Sequence, residues 1–236
     1  MNVPSAGGHA ALMDRVYRRQ RHLYDATRRF FLFGRDRLVG TLDAGTGESI
    51  VEIGCGTARN LIGIARRYPG TRLYGLDASQ AMLLSAREAV KRAGLESRIT
   101  LAHGYAEDLT PAMFGRAEPF DRAIFSYSLS MIPGWPGALE AAAGALTPSG
   151  AVHIVDFGDF SRLWRVAAAA LLSWLGLFHV APRNVLLNQL ERMASERRIA
   201  ALILLPGRYA FIAKLRREEA IGLLPSSVAG WPHTPN

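Results

Sequence analysis

The sequence predicts an α/β domain built on a doubly wound, seven-stranded, mostly parallel sheet, and three observations predict it. Between residues 49 and 157, short apolar runs alternate with windows of helical length and periodicity. The first run passes straight into a glycine turn and the second closes on an acid, Asp77. Near the end, ALILLPGRYAFIAKL places two apolar runs around Pro206-Gly207 and reads as a hairpin over Ala200 to Leu215.

Two helical stretches precede Gly45, the second broken near Gly34, so residues 1–44 are expected to form a helical cap. Strands are expected at Ser49 to Gly54, Arg72 to Asp77, Ile99 to His103, Phe120 to Ser126 and Ala151 to Phe157. Helices are expected between them at Ala58 to Tyr68, Gln80 to Ala93 and Trp135 to Leu146. Such alternation means βαβ units with right-handed crossovers. Thr147-Pro-Ser-Gly150 reads as a helix stop and turn before the fifth strand. The main domain is placed at 45–216, with an inserted helical substrate and membrane segment at 161–199 and a flexible tail at 217–236. Within the insertion, Val166 to Ala181 is apolar except at Ser173, Gly176 and His179, and Arg162, Arg165 and Arg183 flank it. Sixteen residues fall short of the roughly 20 that a spanning helix needs.

The chain has 236 residues, 49% hydrophobic and 20% charged, which excludes a disordered or fibrous protein and allows a substantial core. A single cysteine, Cys55, excludes an intramolecular disulfide framework. The opening residues lack a basic segment followed by an apolar one, so no secretory signal is read and a cytoplasmic protein is expected. The net charge of +8 is segregated. His9 to Arg37 holds eight Arg against three acids, and Ser161 to the end holds ten basic residues against four, whereas Ile50 to Phe160 is near neutral. The basic surface belongs to the flanks, where Arg suits forked contacts to phosphate or carboxylate.

The chemistry concentrates at Val51-Glu-Ile-Gly-Cys-Gly-Thr-Ala-Arg-Asn60. Gly54 and Gly56 allow a tight turn and a close backbone approach to a ligand, and Asp77, 21 residues after Gly56, can accept from ribose hydroxyls. A dinucleotide fingerprint would place a third glycine at Arg59, where it is missing. Glu52 repels phosphate and suits an ammonium group, so the expected ligand is a cationic nucleoside.

From Ser49 to about Phe157, these residues resemble class I S-adenosylmethionine-dependent methyltransferases. The resemblance implies S-adenosylmethionine as cofactor, the glycine loop against its methionine part, and Asp77 on both ribose hydroxyls. It also implies Met82 against the adenine, with plain core filling as the alternative for that residue. Where relatives carry an acid and an amide at the adenine edge, this sequence has Gly104-Tyr-Ala-Glu-Asp-Leu109, with Tyr105 in place of aspartate. That leaves the Ala106 N–H as donor and Glu107 or Asp108 as acceptor. Ser126 matches the position under the methyl-bearing sulfur, and Arg35 is assigned to the cofactor as well.

A narrower resemblance lies in HLYDATRRFFLFGRDR, from His22 to Arg37, and in SYSLSMIP, from Ser126 to Pro133. These look like the diacylglycerylhomoserine N-methyltransferases of betaine lipid synthesis, and the first is also similar to the ubiquinone and menaquinone C-methyltransferases. The resemblance implies N-methylation of a lipid headgroup amine, with quinone C-methylation as the alternative. On this reading Tyr24, Asp25, Tyr127 and Asp156 are the catalytic candidates, and Arg28, Arg29, Arg35 and Arg37 neutralise an acidic headgroup. His103, His153 and His179 are read as core residues. The expected partners are a lipid substrate, an anionic membrane surface approached from the cytoplasm, and the enzyme supplying the homoserine lipid. Nucleic acid is disfavoured, because the second basic flank is apolar with Trp164, Trp174 and Phe178.

Overall fold

The computed structural model describes residues 32–177 and 180–223. Its elements are α1 (Arg35–Gly40), β1 (Ser49–Ile53), α2 (Arg59–Arg67), β2 (Arg72–Asp77), α3 (Gln80–Arg92), β3 (Ile99–His103) and β4 (Phe120–Ser126). They continue as α4 (Trp135–Gly144), β5 (Leu146–Phe157), α5 (Arg165–Gly176), α6 (Asn184–Ser195), β6 (Ala201–Leu204), β7 (Ala210–Arg216) and α7 (Arg217–Gly222). Short 3-10 turns follow β3 at Ala106–Asp108 and Pro111–Phe114, and one joins β6 to β7 at Pro206–Arg208.

The seven strands lie in the order β3-β2-β1-β4-β5-β7-β6. Strands β1 to β5 pair in parallel, whereas β7 is antiparallel to both β5 and β6. All five residues of β1 are buried, as expected for a parallel strand covered on both faces. On one face Val51, Ile53 and Phe125 meet Leu139, Leu186, Leu190 and Ala220 from α4, α6 and α7. On the other, Ile50, Ile124 and Val155 meet Leu38, Leu61, Leu83 and Leu175 from α1, α2, α3 and α5. Strand order reverses between β1 and β4, so the ligand crevice of such a sheet opens at their C-terminal ends.

Three expectations are corrected. Strand β5 begins at Leu146, not Ala151, because Thr147-Pro-Ser-Gly150 forms a bulge inside the strand: Leu146 pairs with Phe120 and the register shifts before Arg122. The tail expected from residue 217 begins with α7, whose Ala220 is buried and whose Glu219 carboxylate accepts from the Ala200 and Arg216 amides. His103 is also exposed at the end of β3, its Nε2 lying 3.1 Å from the Ala78 carbonyl oxygen, whereas His153 is buried in β5. The expected helix before residue 32 and His179 lie outside the described residues.

Candidate active site

The turn after β1 is built by backbone. Gly54 and Gly56 take φ of +74° and +54°, the left-handed region that favours glycine. The Gly54 and Cys55 amides both donate to the Leu76 carbonyl, at 2.8 and 3.0 Å, which ties the turn to the end of β2. A Cβ on Gly54 would lie 2.6 Å from the Ser128 Cβ, so the turn also abuts the loop after β4.

Two carboxylates flank this turn. Asp77 accepts from the Gly56 amide at 2.7 Å and the Ser79 amide at 2.9 Å, while Ser79 in turn caps α3 by accepting from Met82 N–H. Glu52 is buried and accepts from Asn60 Nδ2 at 2.6 Å. Burial first, then the charges of Asp77 and Glu52, push the Cys55 thiol well up. The field at the turn is therefore negative, which disfavours a pyrophosphate and favours a cation. Ser126 and Ser128 add buried hydroxyls with no hydrogen-bond partner among the described residues, donors and acceptors left over for a ligand. Sequence reasoning missed Ser128. It lies past the end of β4, where strand periodicity no longer assigns a direction to a side chain.

The other assigned residues are distributed as follows. Met82 is packed in the core beside Leu83 and Ala86, the alternative the sequence left open. Ala106 is buried at the start of the 3-10 turn after β3, with Glu107 exposed beside it. Arg35 begins α1 and donates from Nε to the Leu32 carbonyl at 3.2 Å. Tyr24, Asp25, Arg28 and Arg29 lie outside the described residues.

Tyr127 and Asp156 hold loops. Tyr127 has φ +56°, turns its ring into the core against Phe157, and donates its hydroxyl to the Phe33 carbonyl at 2.5 Å. Burial chiefly, with Tyr209 and Asp156 nearby, pushes its hydroxyl far above the usual phenol range, so it fits a fixed donor and not a proton acceptor. Asp156 is fully buried and accepts from the Ser130 amide at 3.0 Å and the Phe157 amide at 2.7 Å. Burial raises it to about 6 against the opposing pull of those bonds and of Arg183. Arg183 itself is turned inward, donating to the Leu129 and Ile132 carbonyls at 2.9 and 2.7 Å. The loop from 127 to 132 is thus pinned by an acid from β5 and a guanidinium from the insertion.

Beside this edge opens a cavity of about 620 Å³. Arg35, Asp36, Arg37 and Arg59 line it together with the apolar Phe33, Leu163, Leu205 and Tyr209. Arg59 starts α2 directly after the glycine turn, so the cavity and the turn adjoin.

Residues 50–150 match the family model of a methyltransferase domain. The chain is 32% identical over 154 residues to the ubiquinone/menaquinone biosynthesis C-methyltransferase UbiE of Syntrophotalea carbinolica, covering 63% of this chain and 60% of that protein. It is 28% identical over 138 residues to the methyltransferase GfsG of Streptomyces halstedii, covering 58% and 47%. The chain spans about half the length of the curated relatives it matches. Among solved structures, the mitomycin 7-O-methyltransferase MmcR superposes with a TM-score of 0.68 at 18% identity over 90% of this chain and 61% of that one, a likeness of fold. The cofactor of the family is S-adenosylmethionine, and the residues here fit it: a glycine turn in a negative field, an acid at the end of β2, and buried hydroxyls awaiting a partner. Residues 50–150 thus match a methyltransferase domain, on a sheet whose fold is that of the S-adenosylmethionine-dependent methyltransferases.

Proposed function

We propose that this protein transfers a methyl group from S-adenosylmethionine to the headgroup amine of an amphiphilic acceptor, in first place the homoserine amine of diacylglycerylhomoserine. The observation that carries the reading is the cavity next to the glycine turn, whose lining combines three arginines with apolar side chains. That pairing suits an acceptor with a carboxylate or phosphate at one end and hydrocarbon at the other. It suits a nucleic acid poorly, since the apolar lining has no counterpart in a phosphate backbone. The resemblance in the His22 to Arg37 and Ser126 to Pro133 stretches narrows the acceptor to the homoserine lipid, which would make the enzyme that builds that headgroup a natural partner.

When bound, the cofactor supplies a methyl on a sulfonium sulfur. The acceptor nitrogen gives its lone pair to the new N–C bond, the S–C bond breaks, and each N–H proton lost goes to water or a nearby carboxylate. This chemistry asks the protein for alignment more than for acid or base. Arg35, Arg37 and Arg59 would hold the acidic group, Asp77 and the glycine turn would set the cofactor, and the pinned 127–132 loop would fix the distance between them. Tyr24 and Asp25 remain the candidates to assist deprotonation, Met82, Ala106 and Glu107 the candidates for the adenine.

A second reading, C-methylation of a quinone ring, is favoured by the 32% identity to the UbiE enzyme, and the same apolar lining would accept a prenylated ring. Incubation with labelled cofactor and either the homoserine lipid or a demethylated quinone, followed by mass spectrometry, separates them. One, two and three added methyl groups on the lipid support the first reading. Label on the quinone alone moves the assignment to the second, and label on neither refutes both.

A further inference from the structure

Helix α5 is apolar, yet the fold hardly uses it. Of its twelve residues, RVAAAALLSWLG, Leu175 is the buried one, while Ala168, Leu171 and Trp174 are partly covered. Trp164 and Val166 stand 88% and 81% exposed, followed by Leu172 and Leu177 on the outer surface. A surface helix of a soluble domain turns charged residues outward. Here Val166 to Leu177 contains no charged residue and a single hydroxyl, Ser173.

Charge and continuity identify what covers this face. From Phe160 to Leu190 there is no acid, and Arg162 and Arg165 are exposed at the start of the helix. Arg183, which the sequence suggested as the far flank, is engaged inside, so the cationic groups stand at one end. The same segment runs into the cavity: Leu163 lines it, between exposed Arg162 and exposed Trp164. The outer apolar face and the cavity wall therefore share an edge. Twelve residues extend about 18 Å, well short of the roughly 30 Å of hydrocarbon in a bilayer, and no helix among the described residues is long and apolar enough to cross one.

We propose that α5 lies in the plane of an anionic bilayer surface, with Trp164, Val166, Leu172 and Leu177 at the acyl boundary and Arg162 and Arg165 among the headgroups. The inference rests on the amphiphile reading above in one respect: a lipid acceptor could pass along Leu163 into the cavity without leaving the interface. This is the geometry of an interfacial helix.

The test is sedimentation of the full chain with vesicles of phosphatidylcholine alone or in equal parts with phosphatidylglycerol, at low and high salt, without cofactor. Wild type should bind the anionic vesicles, and more weakly as salt rises. Arg162→Gln and Arg165→Gln should each weaken binding roughly fivefold. Trp164→Ser/Val166→Ser should weaken it at least tenfold while retaining the wild-type circular dichroism and unfolding midpoint, because both side chains are exposed. Absence of wild-type binding, or equal binding by the Trp164→Ser/Val166→Ser variant, overturns the proposal. So does a dimer in sedimentation equilibrium that this variant breaks in the absence of vesicle binding, which would make the face a contact between copies. Vesicle binding with no methylated lipid leaves the docking intact and sinks the acceptor assignment. Methylation of detergent-dispersed lipid without vesicle binding does the reverse.

Discussion

Asp77 has two duties that can be measured apart. The family resemblance gives it the ribose hydroxyls, but the structure shows it already accepting from the amides of Gly56, inside the glycine turn, and Ser79, at the cap of α3. Asp77→Ala removes the acceptor of both bonds. Hydrogen bonds to charged groups contribute about 1.5 to 3 kcal/mol each, and the turn is partly wetted, so water recovers some of the loss. We expect the cofactor-free variant to be about 3 kcal/mol less stable in urea unfolding followed by circular dichroism. Asp77→Asn keeps one carbonyl oxygen but turns an amide N–H₂ toward the other donor, so it should lose about half as much.

The second duty appears as the increment that cofactor adds. A ligand present at about 100 times its dissociation constant stabilises the native state by roughly 2.7 kcal/mol. A hundredfold weaker affinity, the equivalent of two impaired ribose bonds, cuts that increment to about 0.4 kcal/mol at the same concentration. An Asp77→Ala protein that unfolds at the wild-type midpoint without cofactor would refute the turn-holding role. One that is destabilised yet keeps the full cofactor increment would refute the ribose assignment.

Burial, reinforced by Lys214 and Arg122, lowers His153 to about 3 from 6.5, so between those values the unfolded chain binds the extra proton and stability is lost as pH falls. The stability difference between wild type and His153→Leu should shift by about 3 kcal/mol against wild type from pH 7 to pH 4, read from urea midpoints; a constant difference would refute the burial argument. Asp156, raised to about 6 by burial, works with the opposite sign, since the folded state holds a proton that the unfolded chain has lost and stability falls as pH rises from 4 to 6. In His153→Leu, with the opposing histidine gone, the midpoint should therefore climb as pH is lowered from 6 to 4, and a falling midpoint would contradict it. Gly158→Ala would drive its Cβ into the Arg208 backbone carbonyl, which also accepts from the Phe160 amide, so a loss of about 1 to 3 kcal/mol is expected, and unchanged thermal unfolding would refute it. Arg208 donates to Asp159 and Glu191, and its hydrogen bonds hold the Asp159 carboxyl well below the usual carboxylate range. Arg208→Met should return Asp159 to an ordinary carboxylate titration by NMR and shrink the stability lost on acidification below pH 4, whereas an unmoved titration would show that the ion pair does not form in solution.

What the sequence could reveal was whatever is encoded locally. Strands β2, β3 and β4 begin and end where the apolar runs do: β2 and β4 as largely buried parallel strands bounded by turns, β3 as an edge strand with Ile99 inside. The glycine turn was legible because its function demands left-handed backbone at Gly54 and Gly56. Thr147-Pro-Ser-Gly150 misled because the same residues that make a turn also make a bulge. A Cβ on Gly150 would sit 3.2 Å from the Asp121 carbonyl, a closeness set by a neighbouring strand that the local sequence does not contain. The tail misled for the same reason: Glu219 looks like one more solvated acid until the Ala200 amide, nineteen residues away, is brought to it. Tyr127 and Asp156 were correctly placed at strand ends, but pattern gives position along a strand and not the direction in which the next residue turns. At Tyr127 a positive φ reverses that direction and sends the ring inward.

These inward turns explain how the edge of the sheet is organised. Beyond the last ladder bonds of β4 and β5 the chain has no strand partner to hold it, and backbone groups there need other acceptors and donors. Tyr127 supplies a donor to Phe33, Asp156 an acceptor to Ser130, Arg183 two donors to Leu129 and Ile132, and Arg208 a forked pair to Asp159 and Glu191. Tyr127 and Arg208 tie segments that line the cavity or adjoin its lining to other elements, while Asp156 and Arg183 hold the 127–132 loop, so this edge is fixed by polar bonds that ignore sequence order. Helix α5 is held differently, by buried Leu175 and the half-covered Ala168, Leu171 and Trp174. A site whose walls are pinned while its outer helix is lightly attached can keep its reacting geometry as that helix settles on another surface. The polar residues that the sequence offered as chemistry are, on this arrangement, what separates the two mechanically.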